Sequence, residues 1–307
     1  MTQPLPPRHP IWDTVAVPHR LNLGLRALGP DESWLELDED LACDLRIKCD
    51  LLRDQRDQVF VELPESNAAQ TEVLSVVTQS LLENHPDLYT RSGDTFHVHA
   101  TGEEFDLAHP ARPALEIASR CVQEDLIIMQ QKKEGWCLTA AAVCFPTRWD
   151  LPSKLGRPMD AIHDVVPGYK EELDSPSTRF FDGMKKQSAV FRRGNWSLLD
   201  DPALFQPSGR LKREPSADLT ADNAGEKVWL RVEHQTLQRL PATGAILFSI
   251  RVHRTRLDAV AQNPDVADSL IQAIETMNPA MQHYKAIESV RGATVEYLTA
   301  AASRSTI

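Results

Sequence analysis

Apolar residues recur along the first third of the chain at the spacing of helix faces. Leu41, Leu45, Leu51 and Leu52 punctuate the charged stretch 38–58, and Val73, Val76, Val77, Leu81 and Leu82 punctuate 70–83. Both patterns predict amphipathic helices. Asn84-His85-Pro86 stops the second, and 113–121 predicts a short third. The pattern then changes. Residues 125–130 (DLIIMQ) and 136–145 (WCLTAAAVCF) are short apolar runs joined by Lys132-Lys133-Glu134-Gly135, the signature of a hairpin. Pro146 and Pro152 end the strand pattern, and 153–186 holds helix-like pieces broken at Pro158, Pro167-Gly168 and Pro176. Three more strands are predicted at 189–198, 227–237 and 245–253. In the second of these, Val228, Leu230 and Val232 alternate with Trp229, Arg231 and Glu233. Pro241-Ala242-Thr243-Gly244 turns it into the next. Residues 201–225 read as a surface loop, and 265–302 as helix broken at Asn278-Pro279.

Two hairpin-linked strands, a broken helical crossover and three antiparallel strands is the order of a PAS domain. The expected fold is therefore α+β, with a PAS-like five-stranded antiparallel sheet, crossover helices over one face, and helical additions at both ends. The pocket of such a fold lies between sheet and crossover. Residues 1–20 are proline-rich and expected to be extended. Residues 21–307 are expected to form a single domain with its PAS-like core at about 120–256.

Composition narrows the function classes. The 307 residues are 42% hydrophobic and 25% charged, ordinary values for a globular protein. No apolar run approaches the ~20 residues of a membrane span, and MTQPLPPRHPIW lacks the apolar core of a secretory signal. Asp and Glu number 44 against 33 Lys and Arg, which argues against a phosphate-backbone footprint. Five cysteines without a C-x-x-C predict free thiols in a reducing cytoplasm. Cys137 and Cys144 lie in an apolar run and read as buried, inert thiols. No G-x-G-x-x-G, P-loop, G-x-S-x-G or H-E-x-x-H occurs.

Several residues carry candidate chemistry. His163 sits in the crossover between Ile162 and Val165, ahead of a Pro-Gly break; it reads either as a helix-end or core histidine, or as a metal ligand on one side of the pocket. Trp196 is expected in the core, its indole N–H needing a partner. Arg192 and Arg193 either form a solvated strand edge or meet carboxylates. Arg231, Glu233 and Gln235 share one face of a strand and His234 the other; the three either meet solvent or line a polar pocket. Gln123-Glu124-Asp125, at a strand start, reads as surface.

Nine stretches in order resemble the haem-dependent oxidative N-demethylase alpha subunit-like family. They are Trp34; Gln123-Glu124-Asp125-Leu126; Cys144-Phe145-Pro146 with Trp149; Lys154-Leu155-Gly156; Ile162-His163 with Val166-Pro167; Asn195-Trp196; the run from Leu230 to Pro241; Gly244 to Phe248; and Tyr284-Lys285. The resemblance spans about Asn22 to Leu298. It implies a PAS-like core binding haem b, with His163 as the axial ligand. It further implies the oxygen-activating part of a monooxygenase that converts a secondary amine such as dimethylamine to a primary amine and formaldehyde. Electrons would come from NADPH through a separate reductase subunit carrying FMN and a 2Fe-2S cluster. Glu233 would neutralise a substrate ammonium, Arg231 or Arg239 would meet a haem propionate or the oxygen, Arg193 and Trp196 would flank the haem, and His234 would change hydrogen bonding to bound oxygen if it lines the distal side and change little if it faces away. His234 stands where the family pattern has arginine, and 251–254 lacks that pattern's tyrosine. The alternative function is a haem-based PAS gas or redox sensor, or a haem-binding module without chemistry.

Overall fold

A computed structural model of the chain describes residues 5, 14, 15, 21–184, 189–208, 214 and 216–305. The extended start expected at 1–20 lies outside the described residues but for Leu5, Thr14 and Val15. The N-terminal part contains strand β1 (Arg26–Ala27), helices α1 (Leu41–Asp54) and α2 (Arg56–Val59), strand β2 (Phe60–Glu62) and helix α3 (Asn67–Asn84). A small meander follows, β3 (Tyr89–Ser92), β4 (Thr95–Val98) and β5 (Glu103–Asp106), then helix α4 (Ala114–Cys121). The hairpin β6 (Asp125–Lys132) and β7 (Gly135–Ala142) leads into a crossover. The crossover holds α5 (Met159–Ile162), a π turn (Tyr169–Leu173) and α6 (Asp174–Gly183). Strand β8 (Phe191–Leu199), helix α7 (Ala224–Lys227) and strands β9 (Trp229–Arg239) and β10 (Ile246–Arg256) come next. Helices α8 (Leu257–Ala261), α9 (Pro264–Thr276), α10 (Pro279–Tyr284) and α11 (Arg291–Ser305) close the described chain. Among the described residues, no helix is long and apolar enough to cross a membrane.

The architecture is mixed, with helices packed around antiparallel sheets. The main sheet has seven strands in the order β1-β8-β9-β10-β6-β7-β2, and β3-β4-β5 form a second, three-stranded sheet. This corrects the expected count of five. The five strands with apolar periodicity lie side by side as β8-β9-β10-β6-β7. The two additions are edge strands of two and three residues, too short to show a period, and the meander strands carry only isolated apolar residues such as Tyr89, Phe96 and Phe105. Asn263 and Asn278 cap α9 and α10 through their side-chain oxygens, each followed by proline, which explains the break at Asn278-Pro279.

Register assigns the faces. Asn195 pairs with Glu233 and Gly194 with His234 across β8 and β9, and His234 pairs with Arg251 across β9 and β10. Odd residues of β8 and β9 thus face the crossover, and even ones the opposite side. Gly194 is required there: a Cβ would stand 1.8 Å from the Thr14 methyl, which packs onto the strand at that point.

Gln123, Glu124 and Asp125 are buried, against the expectation of a surface position. Their polar groups close the gap between the sheet and α1. Gln123 donates to Asp38 (2.9 Å) and Asp44 (2.7 Å), Glu124 accepts the Glu36 amide (2.7 Å), and Asp125 accepts the Cys144 and Phe145 amides (2.8 and 2.9 Å). Fully buried Lys48 donates to the carbonyls of Val122 and Glu124. Backbone N–H groups and an ammonium substitute for water, so acidic residues survive inside. Cys137 and Cys144 are buried free thiols, pushed up by desolvation.

Burial pushes the Glu124 carboxyl up to about 7, Arg251 opposing, and the Asp125 carboxyl up to about 6, Lys48 opposing. Between about pH 4 and 7 the folded chain therefore binds protons that the unfolded chain has released, so these groups lower stability as pH rises through that window. Glu124→Gln is expected to flatten this slope and to gain roughly 3 kcal/mol relative to the parent between pH 4 and 8. Urea denaturation at both pH values checks it; an unchanged slope would refute the assignment.

Candidate functional site

A cavity of about 300 Å³ lies between the main sheet and the crossover. Its sheet wall is apolar on one side, with Ile127, Met129, Leu138, Leu237 and Phe248. It is polar toward β8 and β9, with Arg193, Asn195, Glu233 and Gln235. The crossover supplies His163, Val166, Tyr169 and Phe180. Tyr284 and Lys285, at the end of α10, close one end.

His163 ends the single turn of α5. Its amide donates to the carbonyls of Met159 (3.2 Å) and Asp160 (3.1 Å), and its ring Nδ1 lies 2.7 Å from the Met159 carbonyl. A carbonyl can only accept, so Nδ1 carries a proton, which in the neutral ring leaves the lone pair on Nε2. The ring stacks on Tyr169 at 4.6 Å between centres. Tyr169 opens the π turn just after Gly168, whose φ of 79° sits in the left-handed region. The ring is thus held by a hydrogen bond at one nitrogen and by a parallel aromatic face.

Glu233 is the cavity's buried carboxylate. Its Oε1 accepts from the Thr147 hydroxyl, and its Oε2 from Asn195 (3.2 Å) and Gln235 (2.8 Å). Lys285 Nζ donates to Asn195 Oδ1 (2.7 Å) and the Trp196 carbonyl (2.6 Å), which orients the Asn195 amide toward Glu233. Burial pulls the Lys285 ammonium down to about 8, with Glu233 opposing. The next residue, Ala286, has φ 55°, a left-handed conformation that L side chains resist, and it ends the helix that carries Lys285. Arg193 lies beside this group; burial lowers its pKa and Glu233 raises it. Its Nε is buried and has no hydrogen-bond partner among the described residues.

The structure thus gathers His163, Arg193 and Glu233 around one cavity. Trp196 faces away into the core that the C-terminal helices build, with Lys285 Nζ 5.7 Å from its ring centre. Three more candidates lie outside the cavity wall. Arg231 is spent on structure: Nη2 donates to the carbonyls of Phe145 (2.8 Å) and Leu204 (2.9 Å), Nη1 to Ala203 (3.0 Å), and Nε to the Thr147 hydroxyl (3.0 Å). It reaches Glu233 only through Thr147. Arg239 donates to the carbonyls of Met184 (3.0 Å) and Phe181 (3.4 Å) and lies over Trp136, fixing the end of α6. His234 points to the opposite face, where it meets Glu36, Arg192 and His253. Both departures from the family pattern, His234 and the segment holding His253, therefore meet away from the cavity. Thr147, Tyr169 and the working roles of Gln235 and Lys285 escaped sequence reasoning. Gln235 was legible from its period-two relation to Glu233, whereas Thr147 lies in a loop without periodicity.

A family model described as haem-dependent oxidative N-demethylase, alpha subunit-like, matches residues 24–295. The match takes in the sheet, the crossover and Lys285. An unpartnered buried donor on a cation is costly in the ligand-free protein. Arg193→Met is accordingly expected to raise the unfolding free energy of the ligand-free chain by roughly 1 kcal/mol. Equal or lower stability in urea denaturation would mean that Arg193 is structural.

Proposed function

The chain belongs to the haem-dependent oxidative N-demethylase alpha subunit-like family, and we propose that it is the haem-binding, oxygen-activating subunit of an oxidative N-demethylase acting on a small secondary amine such as dimethylamine. The family description ties the chain to haem and to a multi-subunit enzyme. Beyond it, we read β8-β9-β10-β6-β7 with the crossover as a PAS-like core, and the cofactor as haem b. The observation that carries this reading is a single cavity lined by an imidazole held at Nδ1 and by a buried carboxylate, with a guanidinium beside it whose Nε has no hydrogen-bond partner among the described residues.

The residues present fit the cofactor. An imidazole whose Nδ1–H is held by a carbonyl is the usual arrangement of a metal-ligating histidine, so His163 Nε2 would hold the iron. The Arg193 Nε, buried and lacking a partner among the described residues, fits a propionate. The apolar wall of Ile127, Met129, Leu138 and Phe248 suits the macrocycle. Bound haem supplies oxygen activation, with electrons from NADPH delivered by a partner reductase subunit carrying FMN and a 2Fe-2S cluster. Overall, dimethylamine, O2, NADPH and a proton yield methylamine, formaldehyde, water and NADP+.

The chain's own part is to bind the amine, orient it and manage its proton. A secondary amine arrives protonated at neutral pH. Glu233 has about four lone-pair sites, three of them taken by Thr147, Asn195 and Gln235, which leaves one for the substrate N–H. Glu233 holds the ammonium N–H as an ion pair, Asn195 joins that carboxylate to Lys285 by hydrogen bonds, and the Lys285 pKa near 8 suits proton exchange with the leaving amine. Arg231 acts as a positioning residue through Thr147.

Two variants test the reading. The parent chain reconstituted with haem b is expected to show a Soret band that His163→Ala shifts or loses, while Glu233→Gln keeps the band. With the reductase supplied, Glu233→Gln is expected to lower kcat/KM for NADPH-driven formaldehyde release by roughly 100-fold. An unchanged Soret band in His163→Ala would remove the ligand assignment. Haem binding without turnover across a panel of secondary amines would favour the sensor.

A further inference from the structure

On the sheet face opposite the cavity, we propose that Glu36, His234 and His253 form a binding site for one divalent transition-metal ion of the zinc type. Nothing in the amine chemistry uses these residues.

The site follows from register. His234 pairs with Arg251, so His253, two residues farther along β10, is its diagonal neighbour on the same face. The rings lie 5.0 Å apart at 66°, edge to face, which lets two ring nitrogens converge instead of stacking. Glu36 comes over them from the segment between β1 and α1. Its backbone is pinned on both sides: the amide donates to Glu124 (2.7 Å) and the carbonyl accepts from Arg251 (3.0 Å). The carboxylate is thereby preorganised above the imidazoles. Its Oε1 lies 2.9 Å from His234 Nδ1, and its Oε2 lies 2.9 Å from His253 Nε2. One ligand atom from each residue falls within 4.8 Å of the others. Ligands ~2.0–2.1 Å from a tetrahedral ion stand roughly 3.3 Å from one another, so small movements close the site.

Two imidazoles and one carboxylate form a three-ligand set that leaves the fourth position to water or another small ligand. Both histidines are buried, while the Glu36 side chain is 21% exposed and marks the side from which an ion would enter. Arg192 is the competing group. Its Nη2 touches both Glu36 Oε1 and His234 Nδ1, which places a cation against two of the three ligand atoms. Its Nη1 already lies 3.6 Å from Glu32, so an entering ion has a carboxylate to which it can displace the guanidinium. A network built only to hold the N-terminal segment would lose strength when Arg192 is removed. A metal site would gain affinity.

The test is calorimetric titration of Zn2+ into the chelator-treated full chain, with a thermal-shift measurement alongside. One equivalent is expected in the parent. His253→Gln is expected to weaken it about 100-fold and to abolish the Zn2+-dependent rise in Tm. Arg192→Gln is expected to tighten it roughly tenfold, and His163→Ala to leave it intact, which separates this site from the haem reading. No stoichiometric Zn2+ binding, binding that His253→Gln leaves unchanged, or weaker binding in Arg192→Gln would each overturn the proposal.

Discussion

The arrangement of the cavity depends on one buried carboxylate, Glu233. A charge taken out of water must be met by donors, and three side chains from three places in the chain meet this one. Asn195 and Gln235 come from neighbouring strands, and Thr147 from the loop after β7. Each is in turn held by its own surroundings. Lys285 fixes the Asn195 amide, and Arg231 fixes the Thr147 hydroxyl while binding four loop carbonyls. The carboxylate therefore links the sheet, the crossover loop and the C-terminal helices. Such a network is worth more complete than in parts, because removing one member leaves another buried group unsatisfied.

Strand β9 carries this design on both its faces. Glu233 and Gln235 look into the cavity, while His234 looks toward Glu36 and the N-terminal segment. That segment is secured by a second buried polar layer, in which Arg251 donates to Asp38 (2.7 Å) and to the Glu36 carbonyl (3.0 Å). Leu21, Leu23 and Leu25, just upstream, complete the cavity wall. The polar chemistry of one face thus anchors the apolar lid of the other. Neighbouring residues of a strand serve two sites separated only by the thickness of the sheet.

Alternation made much of this legible in the sequence. The period of two separated Glu233 from His234, and the position of His163 before a Pro-Gly break placed it in the crossover. The same period misled at Arg231. It does share a face with Glu233, but the cavity ends before it, and the loops at 145–147 and 203–204 cover that part of β9. Face is local information, whereas the extent of a cavity depends on what packs over it. The burial of Glu124 and Asp125 was hidden for a related reason: their partners are backbone amides up to 88 residues away, which no local pattern encodes. Edge strands of two or three residues, and a hydroxyl in an aperiodic loop, leave no periodic trace either.

The cavity also differs energetically from the core around it. Most buried polar groups here are matched, yet near the cavity a guanidinium Nε lacks a partner among the described residues, an ammonium is desolvated, and Ala286 adopts a left-handed conformation beside it. A left-handed alanine alone costs ~1–2 kcal/mol relative to its relaxed form. A fold selected only for stability would place a glycine at 286 and an apolar residue at 193. Departures of this kind beside a cavity mark where binding energy is expected to compensate. A propionate against Arg193 would meet the unpartnered Nε, and Glu233 keeps one acceptor site for an amine, which is the physical reason for reading the cavity as a cofactor and substrate site instead of a packing defect.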